Sequence, residues 1–171
     1  MKKVVIGVVG HGTHATKIHE EVAKRVGELV ARRGGIVVCG GRNEGVMDAV
    51  ARGVEEAGGI SIGILPEADL SRASSHLTVA IPTGMGFARN QIIALSCDGM
   101  IVIGGGVGTL TEVAYAYAFS KPIVVIENLG GLVEQFIGRY LDKKERVKLV
   151  GAKTPEEAVE LVFKLIEEKK K

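Results

Sequence analysis

The chain has 171 residues, of which 46% are hydrophobic and 25% charged, and its formal net charge is +2. That length suits a single domain, residues 1–171, around one core. Aromatics make up only 4% and no basic patch is interleaved with them, which argues against nucleic acid as a partner. No apolar run approaches a membrane span, so no membrane partner is expected and the protein is read as cytoplasmic. Few amides, no tryptophan and abundant Lys and Glu hint at a thermophilic source.

The opening, Met1-Lys2-Lys3, imitates a signal peptide, but the apolar stretch behind it is too short and ends in glycines. Val4 to Val9 is an unbroken apolar run, the mark of a strand buried on both faces. It leads into Gly10-His11-Gly12-Thr13-His14-Ala15, which matches G-x-G-x-x-A, the dinucleotide fingerprint. A helix is expected from Ala15 to Arg33, with Ile18, Val22, Val26, Leu29 and Val30 on its inner face and Gly34-Gly35 as its stop.

The second strand is Ile36 to Cys39. A dinucleotide site wants an acid at this strand's end to hold ribose hydroxyls. Gly40-Gly41-Arg42-Asn43-Glu44-Gly45 stands there instead, with Glu44 falling late, at a helix start, so the classical NAD reading is demoted. His11, His14 and His19 have no metal-site spacing and no nearby cysteine, and they read as loop and helix-surface residues; no metal site is expected. Cys39 and Cys97 form no CxxC pattern and read as buried free thiols.

A second helix spans about Glu44 to Ala57, with Val46, Met47, Val50 and Val54 inward, and Ile60 to Leu65 makes the third strand. Glu67 to His76 is a polar surface loop. Leu77 to Ile81 is the fourth strand, stopped by Pro82. Thr83-Gly84-Met85-Gly86-Phe87-Ala88-Arg89-Asn90 is another glycine turn, entering a helix over Ala88–Ser96. Arg89 opens that helix against its dipole, so its placement calls for a bound anion or a carboxylate partner.

The fifth strand, Met100 to Ile103, runs into Gly104-Gly105-Gly106-Val107-Gly108-Thr109-Leu110-Thr111-Glu112, and Val113 to Ser120 is helical in pattern. A glycine turn before a helix brings free N–H groups to the positive end of a dipole, a ready phosphate site. No Lys-Ser/Thr follows, so this is not a Walker loop. Thr109 to Glu112 also spells S/T-x-x-E, a capping box in which Glu112 would only bond a backbone N–H. Ile123 to Ile126 is strand six, Leu132 to Tyr140 a helix opened by Gly130-Gly131, and Val147 to Val150 strand seven. Thr154, Pro155 and Glu157 cap a last helix that runs to Lys169-Lys170-Lys171.

Strands alternating with helices predict an α/β, Rossmann-like doubly wound, mostly parallel sheet with helices on both faces. The turns after strands one, two, four and five then share the carboxyl edge, where such sheets bind ligands. The candidate ligand and phosphate contacts are Gly10, His11, Gly12, Thr13, Gly40, Gly41, Gly84, Gly86, Arg89, Asn90, Gly105, Gly106, Val107, Gly108 and Thr109.

Arg89 followed by Gly105-Gly106-Val107-Gly108-Thr109-Leu110-Thr111-Glu112 resembles the Lonely Guy family of phosphoribohydrolases, which carries an Arg in a helix and then P-G-G-x-G-T-x-x-E. Cys39 to Met47 resembles that family's earlier glycine motif, and the resemblance covers about Val4 to Ile126. It implies that Arg89 and Glu112 hold the catalytic positions if the protein is a hydrolase of nucleoside 5′-monophosphates. One departure stands out: Gly104 occupies the place of the family's proline. With Thr83-Gly84-Met85-Gly86-Phe87-Ala88-Arg89-Asn90, this is more similar to the branch of molybdenum cofactor carrier proteins. That branch implies a non-catalytic binder of a small phosphorylated ligand, with a molybdopterin-type cofactor as the candidate, and a homodimer or homotetramer. The decarboxylase label once given to such proteins finds no Schiff-base lysine in any of the four turns.

Overall fold

The computed structural model describes residues 2–170. Seven strands form one parallel sheet in the order β4-β3-β2-β1-β5-β6-β7. They are β1 (Val5–Gly10), β2 (Ile36–Cys39), β3 (Ile60–Leu65), β4 (Val79–Pro82), β5 (Gly99–Ile103), β6 (Ile123–Ile126) and β7 (Val150–Ala152). The helices are α1 (Lys17–Arg32), α2 (Gly45–Glu56), α3 (Arg89–Ser96), α4 (Val107–Ala118) and α5 (Pro155–Lys169). The chain winds outward from β1 to β4, crosses back, and winds the other way from β5, so β1 and β5 flank the switch point where open sheets of this kind bind ligands. This is the Rossmann-like doubly wound fold expected.

Two cores follow from the strand pleat. Ile6, Val8, Val37, Ile101 and Ile103 face α1, α2 and α5, while Val9, Val38, Met100 and Val102 face α3 and α4. The expected helix faces hold, except that Ile18 is exposed. Helices α1 and α2 cross at a close approach: a Cβ on Gly27 would meet Val50 O at 2.3 Å, and one on Gly53 would meet Lys24 O at 2.0 Å. α5 is capped as its sequence reads, with Thr154 Oγ1 accepting from Glu157 N at 3.1 Å behind Pro155. It ends at Lys169; Lys171 of the expected tail lies outside the described residues.

Several expectations are corrected. Leu132 to Tyr140 is not a helix but an irregular segment with one 3-10 turn, Glu134–Phe136. Leu132 N donates to Gly105 O at 2.9 Å, and Gly138 N and Leu149 N exchange bonds with Leu149 O and Arg139 O. These long-range bonds outcompete a helix that carries Gly138 inside it. β7 starts three residues later than expected, pairing Val124, Val125 and Ile126 with Val150, Gly151 and Ala152. β4 starts later and includes Pro82, which an edge strand tolerates because its N–H is not needed. α1 starts at Lys17 rather than Ala15, and α4 starts at Val107, six residues before Val113.

Candidate functional site

The carboxyl ends of β1, β2 and β5 and the start of α3 enclose a cavity of about 520 Å³. Its walls include Gly10, His11, Gly12, Thr13, Gly40, Gly86, Arg89, Asn90, Gly106, Gly108, Thr109 and Glu112, all singled out in the sequence. Gly41, Gly84, Gly105 and Val107 do not line it. Gly41 packs against Gly63, Gly84 lies beside Ala68, and Val107 points outward, 67% exposed. Gly105 shapes the loop from behind: its φ is +107° and a Cβ there would strike the Thr109 side chain.

The start of α4 forms the cavity's floor. Its N-cap is Gly106, no side chain caps it, and the first intrahelical bond runs from Leu110 N to Gly106 O. The N–H groups of Val107, Gly108 and Thr109 therefore have no helical partner. Thr109 is inside the helix, not its cap, and its hydroxyl donates to Gly10 O at 3.1 Å. The capping-box reading of Glu112 is thereby overturned. Glu112 stands in the second turn and turns inward, 7% exposed.

Arg89 comes to the same place from the far side of the sheet. The crossing from edge strand β4 carries α3 over β1, β2 and β3, and delivers Arg89 to the switch point. Its guanidinium lies over Gly40, where any Cβ would fall 2.5 Å from Nη1. It is no surface arginine: Arg89 is 8% exposed, and its Nε and Nη1 are buried with no hydrogen-bond partner. Glu112 Oε1 is 3.7 Å from Nη1, an ion-pair distance too long for a hydrogen bond. Burial lowers the Arg89 pKa against the pull of Glu112, and burial pushes Glu112 up to about 8 despite Arg89. Asn90 faces the cavity, but its amide is engaged: Nδ2 donates to Thr111 Oγ1 at 2.8 Å and Gly108 O at 3.3 Å, tying α3 to α4.

The opposite wall is built by the loop after β1. His11 N donates to Ile103 O at 3.2 Å and His11 O accepts from Val46 N at 2.9 Å, which leaves the imidazole facing the cavity. Burial, then the neighbouring His19 and His14, lowers its pKa and so favours the neutral ring. His19 is not the surface residue expected. It is 6% exposed, its Nδ1 accepts from Thr16 N at 3.0 Å, and its Nε2 therefore carries the proton donated to Leu129 O at 2.7 Å.

Sequence reasoning missed Arg42, Glu44, Met47, Pro66 and Phe87. Glu44 was noted as late for a ribose-binding acid, yet as the N-cap residue of α2 it reaches the cavity beside Gly12. An ion-pair ladder holds it: Arg72 to Glu44 at 2.9 Å, Arg42 to Glu44 at 3.6 Å and Arg42 to Glu67 at 2.6 Å. The loop over Glu67–His76 makes that ladder possible by folding back so that Arg42 bridges Ala73. Charges alternate along the ladder but not along the sequence, where Glu44 and Glu67 fall between Arg42 and Arg72. Cys39 and Cys97 are buried free thiols, and burial raises both to about 11. Among the described residues, no group of three or more His, Cys, Asp or Glu is placed to hold a metal ion, and no helix is long and apolar enough to cross a membrane.

Known proteins are similar to this chain in sequence and fold. The molybdenum cofactor binding protein of the phototrophic bacterium Rippkaea orientalis is 37% identical, with 97% of this chain and 99% of that one covered and a TM-score of 0.88. The molybdenum cofactor carrier protein of Chlamydomonas reinhardtii is 32% identical over 97% of this chain and 99% of its own, with a TM-score of 0.84. A cytokinin riboside 5′-monophosphate phosphoribohydrolase of Mycobacterium tuberculosis is 35% identical over 126 residues, which are 69% of this chain and 66% of that one. Both branches of the resemblance read from the glycine motifs are thus found among its relatives. The match that spans residues 3–159 takes in every wall of the cavity, and by it the chain belongs to the SLOG cluster4 family.

Proposed function

We propose that the protein is a binding protein or carrier for a small phosphorylated, nucleotide-like molecule of the molybdopterin-cofactor class. One observation carries the reading: Arg89 is buried with two of its nitrogens, Nε and Nη1, lacking a hydrogen-bond partner, beside a helix start whose own N–H groups are free. A buried cation without hydrogen bonds is costly, and a phosphate oxygen satisfies it while the helix dipole favours the same charge. Met47, Pro66 and Phe87 offer an apolar wall suited to a planar ring. The molybdenum cofactor binding protein of Rippkaea and the carrier protein of Chlamydomonas, matched over nearly their whole length, support the choice of ligand class. Phosphate contacts are assigned to Gly106, Gly108, Thr109 and Arg89. The exposed apolar side chains Val79 and Ile81 on edge strand β4 support self-association into a dimer or tetramer.

The test is direct. The protein purified without added ligand is extracted and its small molecules identified by mass spectrometry, and inorganic phosphate and AMP are titrated calorimetrically. A pterin phosphate in the extract, and phosphate binding lost in Arg89→Met, are the expected results. A parent protein that binds neither phosphate nor AMP and carries no ligand would overturn the reading.

The second reading is a nucleoside 5′-monophosphate phosphoribohydrolase. The pairing of Arg89 with Glu112 inside the cavity favours it, as do the relatives named as phosphoribohydrolases. In that reaction the carboxylate would position water and stabilise a cationic ribosyl transition state.

A further inference from the structure

Gly104 has φ +61°, a value closed to proline, whose ring holds φ near −65°. It also has no room for any side chain: a Cβ there would lie 2.5 Å from His11 Cδ2 and 3.1 Å from His19 Nε2. The two rings form an edge-to-face pair with centroids 4.8 Å apart. His19 is pinned by Thr16 and Leu129, so it cannot yield, and the backbone of His11 is held on both sides by Ile103 and Val46. The His11 ring therefore occupies the space that a side chain at position 104 would take. It stands against the loop that delivers the free N–H groups of α4, and the Thr109 hydroxyl anchors that helix to Gly10, one residue before it.

We propose that Gly104 and His11 act as a pair, in which the glycine admits an imidazole that donates a hydrogen bond to a phosphate-monoester oxygen held at the start of α4. His11 is the ligand-contacting member, and Gly104 and His19 position it. A neutral ring adds a donor without adding charge, beside a site where Arg89 already supplies the cation. The inference rests on the phosphate-binding reading given above. It goes further, because it makes the departure from the proline-bearing Lonely Guy pattern a gain of a ligand contact.

The experiment titrates inorganic phosphate and AMP into the parent, His11→Ala, His11→Asn, Gly104→Ala and the double variant Gly104→Ala/His11→Ala, with melting curves for each. Losing a hydrogen bond to a charged oxygen costs roughly tenfold or more in affinity. His11→Ala is expected to lose that much for both ligands, and His11→Asn, which keeps a donor, to recover part of it. Gly104→Ala should lose a similar factor, while the double variant binds no more weakly than His11→Ala, because the severe clash at 2.5 Å goes with the His11 ring and only the tight 3.1 Å contact to His19 is left. Gly104→Ala melts lower in either background from its positive φ, so binding is compared at a temperature where every variant is folded. His11→Ala binding phosphate as the parent does, or losses at 104 and 11 that simply add, would overturn the proposal. A parent that binds neither ligand would instead strike at the phosphate-binding reading.

Discussion

The guanidinium of Arg89 and the carboxylate of Glu112 stand 3.7 Å apart in the cavity, both buried and with no hydrogen bond between them. Burial holds Glu112 at about 8, so near neutral pH the cavity carries a cation beside a largely protonated acid. That arrangement carries net positive charge into a confined space and suits an incoming anion.

Stability should fall with rising pH on account of Glu112. An unfolded Glu titrates near 4.5 and the folded one near 8, so the native state binds the extra proton between those values. The contribution is complete below about 4.5 and is lost as pH climbs to 8, with a slope of at most about 1.4 kcal/mol per pH unit. Glu112→Gln cannot titrate and should remove this slope. Denaturant melts from pH 5 to 9 on both proteins measure it, and parallel profiles would show that Glu112 is charged throughout.

Turnover separates carrier from hydrolase. The parent is expected to release no adenine from AMP at pH 7, since a protonated Glu112 cannot stabilise a cationic ribosyl group. Chromatography of AMP incubated with the protein measures this. Adenine release that grows through pH 8 and drops about 10²-fold or more in Glu112→Gln would establish the hydrolase instead.

Two neighbouring glycines should behave differently. Gly106 has φ −103° and nothing within 4 Å of a built Cβ, so Gly106→Val should fold and melt close to the parent while a side chain at the floor blocks phosphate. In this turn the positive φ values lie at Gly104 and Gly105 instead. Gly105→Ala combines φ +107° with a clash into Thr109 and should cost about 1–3 kcal/mol of stability. Calorimetric binding and melting of both variants test the contrast, and phosphate binding unchanged in Gly106→Val would remove that loop from the site.

The α1–α2 crossing should be intolerant of a single methyl group. Helix propensity predicts that Gly53→Ala stabilises by about 1 kcal/mol. The 2.0 Å approach to Lys24 O predicts the opposite, a loss of about 1–3 kcal/mol as the helices are forced apart. Urea denaturation of the variant decides between the two, and a stabilised variant would mean that the helices part at little cost.

Local signals were enough for the sheet, its parallel sense and most of its strands. Val5–Gly10 and Gly99–Ile103 are apolar runs that only a doubly buried strand needs, and glycine turns follow them at the carboxyl edge. The glycines of the turn before α4, Arg89 and Glu112 were visible for the same reason, because backbone approach and charge placement constrain residue type along a short stretch. What escaped the sequence depends on contacts between distant segments. Leu132–Tyr140 has helical spacing, but bonds to Gly105 and Leu149 hold it irregular. Glu112 reads as a cap until α4 is seen to start at Val107, and His19 reads as a surface residue until the Leu129 carbonyl, 110 residues away, is seen to accept its hydrogen bond. Glu44 reaches the cavity from the start of α2, and the loop after β3 folds back to hold it there through Arg72. Periodicity and turn chemistry act over a few residues, so they decide the elements. Where an element stops, and which side chain it turns toward the cavity, is decided by hydrogen bonds and close packing between segments far apart in the chain.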